Sequence, residues 1–147
     1  MSIHFIPFLE ISNLDLYRIL QLRQAVFIIE QNCIYADIDN LDLNAYHLLV
    51  KQDDRILAYA RFFPLGVLYN DFASIGRVLV HQDHRKEKYG HELMKCIIEK
   101  SESLFGKNPI KISAQTYLQH FYEQYGFKKI SAEYLEDNIP HILMVRV

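Results

Sequence analysis

At 147 residues, 50% hydrophobic and 23% charged, the chain is long enough for one domain with one substantial core and too short for two. Its formal net charge of −2 supplies no overall attraction to nucleic acid, and no apolar run approaches the roughly 20 residues that a membrane helix needs. The sequence shows no basic, apolar, small-residue progression at its start. Cys33 and Cys96 make no disulfide framework, so a soluble cytoplasmic domain with free thiols is expected.

In chain order, the apolar stretch 3–8 suits a first or edge strand. Ser12 or Asn13 offers an N-cap before Leu16, Ile19, Leu20, Val26 and Phe27, whose spacing predicts a helix ending near Glu30. Residues 31–44 lack periodicity and read as a long loop of the kind that often carries function. No Lys or Arg lies between Arg23 and Lys51, whereas Glu30, Asp37, Asp39 and Asp42 all fall there. These aspartates lack the Gly and the terminal Glu of a calcium loop, and no metal site is expected. Caps or solvated carboxylates are their ordinary reading, and an acidic lip that attracts a cationic amine is the functional one.

Tyr46 to Lys51 and Arg55 to Phe63, around Asp53-Asp54, predict an antiparallel hairpin that Pro64 and Gly66 end. Ala73 to Val80 supplies a fourth strand. It feeds a polar turn with Arg85, Lys86 and Lys88, after which Gly90, Leu93, Met94, Ile97, Ile98, Ser101, Leu104 and Phe105 share one helical face. Gly106 closes that helix and Pro109 prevents its restart. A strand, basic loop and helix in succession present N–H groups and a positive dipole end that favour a phosphate; taken alone, a solvated helix start explains the loop equally well. His4, His81, His84 and His91 have no metal-ligand spacing.

Ile110 to Gln115 alternates as a fifth strand, which a right-handed crossover would lay parallel to the fourth. A short helix from Tyr117 to Tyr125 stops at Gly126. Two further strands, Phe127 to Tyr134 and Ile139 to Val147, flank the turn residues Asp137 and Asn138. The whole predicts one α/β domain over residues 1–147, with a mixed sheet and helices covering both faces.

Arg77 to Val80 with Arg85 to Gly90 resembles the strand and pyrophosphate loop of the GNAT family of acyl-CoA-dependent N-acyltransferases. Lys88 stands where that family has its first loop glycine, a position that favours positive φ and close approach of the backbone. Gln115 and Phe121-Tyr122-Glu123 with Gly126-Phe127 resemble the family's segment after the fifth strand. Nearly end to end, the chain is similar to the ElaA-like branch of the family, through Leu22 to Phe27, Glu30-Gln31, Tyr35, Asp37, Asp39, Asp42, His47, Gly76-Arg77-Val78, Ala114-Gln115 and Glu136 to His141.

The resemblance implies a mostly antiparallel sheet with a parallel fourth and fifth strand pair, and acetyl-CoA as co-substrate. Val78, Leu79 and Val80 are then expected to pair with its pantetheine, Arg85, Lys86, Glu87, Lys88, Tyr89, Gly90 and His91 to hold the pyrophosphate, and Gln115 to contact the cofactor. Tyr122 becomes the candidate acid for the CoA thiolate, since a phenol lies near a thiol in acidity; core packing is its ordinary role, as it is for Tyr117 and Tyr125. The carboxylate that many relatives carry early in the fourth strand is replaced by Ala73 and Ser74. Glu30 and His47 are therefore the candidate bases, each with a structural role as its ordinary reading, and His141 is a candidate for substrate contact. The expected activity is acetyl transfer to a primary amine in a ternary complex, as no Cys or Ser sits in a nucleophile arrangement. A non-catalytic acyl-CoA-binding module is the alternative, and homodimers through free sheet edges are possible.

Overall fold

Alternating side chains and tight turns build the first sheet of the computed structural model, which describes residues 1–147. Strands β1 (Ser2–Pro7), β2 (Tyr46–Gln52), β3 (Arg55–Phe63) and β4 (Ser74–Val80) lie in that order, each antiparallel to the next. Asp53, with φ of 55°, makes the reversal between β2 and β3. β3 is buried from Ile56 to Phe63 and carries helices on both faces.

On one face, helix α1 (Asn13–Arg23) starts where the Ser12 hydroxyl accepts the Asp15 N–H at 3.1 Å. After Arg23 it widens into a π-helical segment, Gln24–Glu30, and the two together bury Ile19, Leu22, Val26 and Phe27 against Leu49, Tyr59 and Leu79. On the other face, helix α2 (Tyr89–Phe105) buries Leu93, Met94, Ile97, Ile98 and Ser101. Leu104, expected on that face, is 58% exposed; in the last turn it is Phe105 that reaches the rings of Tyr46 and Phe62.

The second sheet contains β5 (Ile110–Gln115), β6 (Lys128–Lys129), β7 (Tyr134–Glu136) and β8 (Ile139–Arg146). β8 is antiparallel to β5 along one edge and to β6 and β7 along the other. The strand expected over 127–134 is interrupted, because the Ser131 hydroxyl takes the Leu143 N–H at 2.9 Å in place of a ladder carbonyl. Helix α3 (Gln119–Glu123) follows a 3-10 turn at Thr116–Leu118. Asp137 and Asn138 both have positive φ, as the turn of a two-residue hairpin requires.

The expected parallel ladder between β4 and β5 does not form. Every ladder is antiparallel, and the sheets meet at one parallel bridge, Ala73 with Ile110. There the Ala73 N–H donates to the Pro109 carbonyl and the Lys111 N–H to the Ala73 carbonyl, each at 2.9 Å. Beyond the bridge β4 bulges. Tyr59 pairs with Leu79 and Arg61 with Gly76, so Ala60 alone faces Arg77 and Val78, and Arg77 takes φ of 49°. An extra residue breaks the even spacing that a ladder needs, and the facing edges of β4 and β5 separate.

Candidate active site

The separation opens a cavity of about 520 Å³ lined from Ser74 to Val78 on β4 and from Ile112 to Gln115 on β5. Tyr122 closes it on the α3 side, and Tyr35, Tyr69 and the tip of the β7–β8 hairpin border it opposite. Backbone groups on these strand edges and at the bulge are free to bind an extended ligand, since each edge has a sheet partner on its other side only.

At the far end of β4, a 3-10 turn, Gln82–Glu87, leads into α2. The α2 amides of His91 and Glu92 both bond the Lys88 carbonyl. The N–H groups of Lys88, Tyr89 and Gly90 precede them at the positive end of a 17-residue helix, where the amides of a helix start form a small cradle for an anion. A Cβ on Gly90 would meet Phe121 and Val80 at 3.6–3.8 Å, ordinary contact distances, so packing does not demand the glycine.

Lys88 has φ of 61° and ψ of 25°, the left-handed conformation that favours glycine. Lys88→Gly is therefore expected to raise stability by about 1 kcal/mol through relief of that conformation, as measured by urea denaturation, and to weaken acetyl-CoA binding through loss of the ammonium. No gain in stability would contradict the strain.

Arg85 is committed elsewhere: its guanidinium makes two bonds to the Glu30 carboxylate, at 2.6 and 2.8 Å, and a third, at 3.3 Å, to the Val80 carbonyl. This one pair bears on two expectations. Arg85 spends its guanidinium on Glu30 and Val80 in this structure, and Glu30, ion-paired near the surface, lacks the burial that would make it a base. Lys86 and Lys88 are exposed and remain the mobile charges. Val78 lines the cavity, while Leu79 is 4% exposed among the α1 contacts and Val80 packs beside Gly90. Glu87 faces His84 at 3.1 Å, and His91 bonds the Tyr125 hydroxyl.

His47 is 1% exposed and lies outside the cavity. Its Nε2–H donates to the Asp42 carbonyl at 2.9 Å and its Nδ1 accepts from the Tyr59 hydroxyl at 2.6 Å. Both nitrogens are occupied and burial holds the imidazole pKa down, so His47 is a packed, neutral connector and not a base. Tyr122 lines the cavity between the rings of Phe121 and Phe127. Burial, with a smaller contribution from Tyr117, pushes its phenol pKa up, which keeps the proton on oxygen as a donor must. Tyr117, expected in the core, is 73% exposed. Gln115 exchanges long amide contacts with Gln31, at 3.3 and 3.5 Å, across the cavity rim.

The acidic stretch forms no lip. Arg23 bonds Asp37 at 2.9 Å and Asp42 at 2.7 Å; Arg61 bonds Asp39 at 2.8 and 2.9 Å and Asp42 at 2.9 Å. Arg77 places Nε 2.8 Å from Asp37, a charge contact without hydrogen-bond alignment, and Nη2 3.3 Å from Asp39. The aspartates are thus neutralised by arginines from α1, β3 and β4, and the network ties the 31–44 loop to the sheet. Burial alone would raise the carboxyl pKa of Asp39 and Asp42, but the arginine bonds and charges outweigh it and hold both below the ordinary range.

Residues 16–147 match the family model for an acetyltransferase (GNAT) domain. Protein ElaA of Escherichia coli is 42% identical over 139 residues, 93% of this chain and 90% of its own. The crystal structure of Escherichia coli ElaA superposes with a TM-score of 0.92 at 38% identity, and an acyl-CoA N-acyltransferase from Pseudomonas aeruginosa with 0.93 at 37%, both over 100% of each chain. An aminoglycoside 6′-N-acetyltransferase complexed with coenzyme A shares the fold alone, with 13% identity and a TM-score of 0.75 over 99% of this chain and 96% of that one.

Proposed function

Because the chain belongs to the GNAT acetyltransferase family, we propose that it transfers the acetyl group of acetyl-CoA to a primary amine by direct attack in a ternary complex. The observation that carries this is the slot between β4 and β5, which has unpaired strand edges, a bulge at Arg77 and Val78, and the Tyr122 phenol on its wall. The amides of the pantetheine arm extend the β4 edge through Val78 and Val80. The pyrophosphate occupies the cradle of Lys88, Tyr89 and Gly90, with the ammonium groups of Lys86 and Lys88 beside it. A backbone N–H freed by the bulge polarises the thioester carbonyl, and Tyr122 protonates the departing thiolate. The Gln31–Gln115 contact, near the distance limit of a hydrogen bond, opens to let Gln115 meet the cofactor. Acetyl-CoA as co-substrate is in keeping with a cytoplasmic enzyme, and no helix is long and apolar enough to cross a membrane.

A specific observation favours the binding-module reading: Ala73 and Ser74 replace the usual carboxylate, and both Glu30 and His47 are engaged. Isothermal titration with acetyl-CoA tests the site common to both readings. Lys86→Ala with Lys88→Ala is expected to weaken binding about tenfold or more, with a steep salt dependence. No binding to the wild-type protein would exclude both readings.

A further inference from the structure

We infer that Glu136 and His141 form the docking and deprotonation site for a primary ammonium group, so that the acceptor is a cationic amine with an apolar or aromatic body. The inference deepens the acetyl-transfer reading and rests on it. Both residues stand on the cavity wall, in the hairpin that continues past the end of β5. Its register sets Tyr134 opposite His141 and Glu136 opposite Ile139.

The hydrogen bonds orient both side chains. The Ile139 carbonyl can only accept, so the 2.7 Å contact with His141 puts a hydrogen on Nδ1, and in the neutral imidazole Nε2 is then the accepting nitrogen. The Tyr134 ring, stacked 26° from parallel, holds the imidazole plane. On the carboxylate side, the Ser113 hydroxyl donates to Glu136 Oε1 at 3.2 Å and itself receives the Tyr134 hydroxyl. These contacts turn Glu136 Oε2 towards His141 Nε2, 3.4 Å away. With the imidazole neutral, two acceptors converge there, and a donor with several N–H groups and a positive charge satisfies both at once.

Charge on the wall points the same way. Arg61 and Arg77 are spent on Asp37, Asp39 and Asp42, and the Lys111 ammonium lies over the Tyr69 and Phe72 rings. Glu136 and Asp137 are then the carboxylates on the wall without an arginine or lysine partner, while Gln115, paired with His141 across the strands, is uncharged. Phe63, Leu68 and Tyr69 offer apolar contact to the body of the amine. The Cys33 thiol donates to the Asp137 carbonyl at 3.1 Å and holds the hairpin tip against the 31–44 loop.

In the reaction the ammonium donates to Glu136 Oε2 and passes one proton to His141 Nε2. The free amine attacks the thioester carbonyl; the N–C bond forms, the C–S bond breaks and its electron pair leaves with sulfur. The Tyr122 proton goes to that sulfur, and the second proton of the amine nitrogen restores the phenol. His141 then releases its proton to solvent.

The test uses the CoA-saturated protein with labelled histidine, titrated with phenethylamine and with phenylacetate, its anionic counterpart. The His141 resonance, identified by its loss in His141→Gln, is expected to shift with the amine alone. Glu136→Gln is expected to weaken amine binding about tenfold or more without changing acetyl-CoA binding. His141→Gln, whose amide still accepts, keeps both bindings but lowers kcat about a hundredfold and loses the acidic limb of the pH profile. Equal binding of phenylacetate, no binding of the amine, an unchanged affinity in Glu136→Gln, or a His141 doubly protonated throughout as a fixed ion pair would each overturn the acceptor site while acetyl-CoA binding persists. Loss of acetyl-CoA binding by the wild-type protein would overturn the transfer reading and this inference with it.

Discussion

Tyr122→Phe is expected to lower kcat by about a hundredfold or more, in the range for loss of a positioned acid, with acetyl-CoA affinity unchanged. The phenol is 6% exposed and its ring sits edge-on to Phe121 and Phe127, so phenylalanine preserves those contacts and removes only the hydroxyl. Burial has already pushed the phenol pKa up, so the wild-type group stays protonated through neutral pH, and the thiolate is its natural proton acceptor as sulfur departs. Stopped-flow measurement of thiol release separates the chemical step from product release. Unchanged turnover would make Tyr122 a core residue of the cavity wall, and a loss of binding equal to the loss of rate would make it a cofactor contact.

Arg23→Met is expected to cost about 3 kcal/mol, because it takes from the buried Asp37 and Asp42 carboxylates one of the two arginines that each contacts. In a domain of this size that lowers Tm by about 10 °C. Lys51→Ala, which breaks the more exposed pair with Asp15, is expected to cost no more than about 1 kcal/mol. A cost for Arg23→Met as small as that of Lys51→Ala would refute the network's role. The network also anchors Tyr35, Asp39 and Leu41 on the cavity wall, so loss of stability and loss of acceptor binding should coincide.

Acid should act in two stages. Below pH 6.5, the ordinary value for imidazole, the unfolded chain protonates at His47 while the folded one resists, and stability falls as pH drops. Asp39 and Asp42, depressed from an ordinary 3.8, contribute stability above that value and lose it as pH falls through their lower native pKa. Chemical denaturation at a series of pH values reads both stages. His47→Gln should remove the first, and persistence of the first stage in that variant would contradict its assignment.

The strands, the α2 face and the basic loop were legible because their signals are local. Alternation, helical spacing and a turn of Asp or Asn act within one element, and the Lys88 position was readable as one that asks for positive φ. The acidic stretch is no lip because Arg23, Arg61 and Arg77 reach Asp37, Asp39 and Asp42 across three elements, contacts that the order of charges along the chain does not show. His47 failed for the same reason: its partners, Tyr59 and the Asp42 carbonyl, become neighbours only when β2, β3 and the loop assemble. The divergence of β4 from β5 follows from one extra residue at Arg77, which no periodicity marks. Glu136 and His141 left a usable signal, since a two-residue turn at Asp137 and Asn138 sets Tyr134 opposite His141.

The most direct test follows acetyl-CoA labelled in its acetyl group after mixing with the protein and phenethylamine, by mass spectrometry of both the small molecules and the intact chain. The account predicts label in the amide, one CoA released for each amide formed, and a protein mass that never changes. Label on the protein, or CoA release without amide, would contradict direct transfer in a ternary complex.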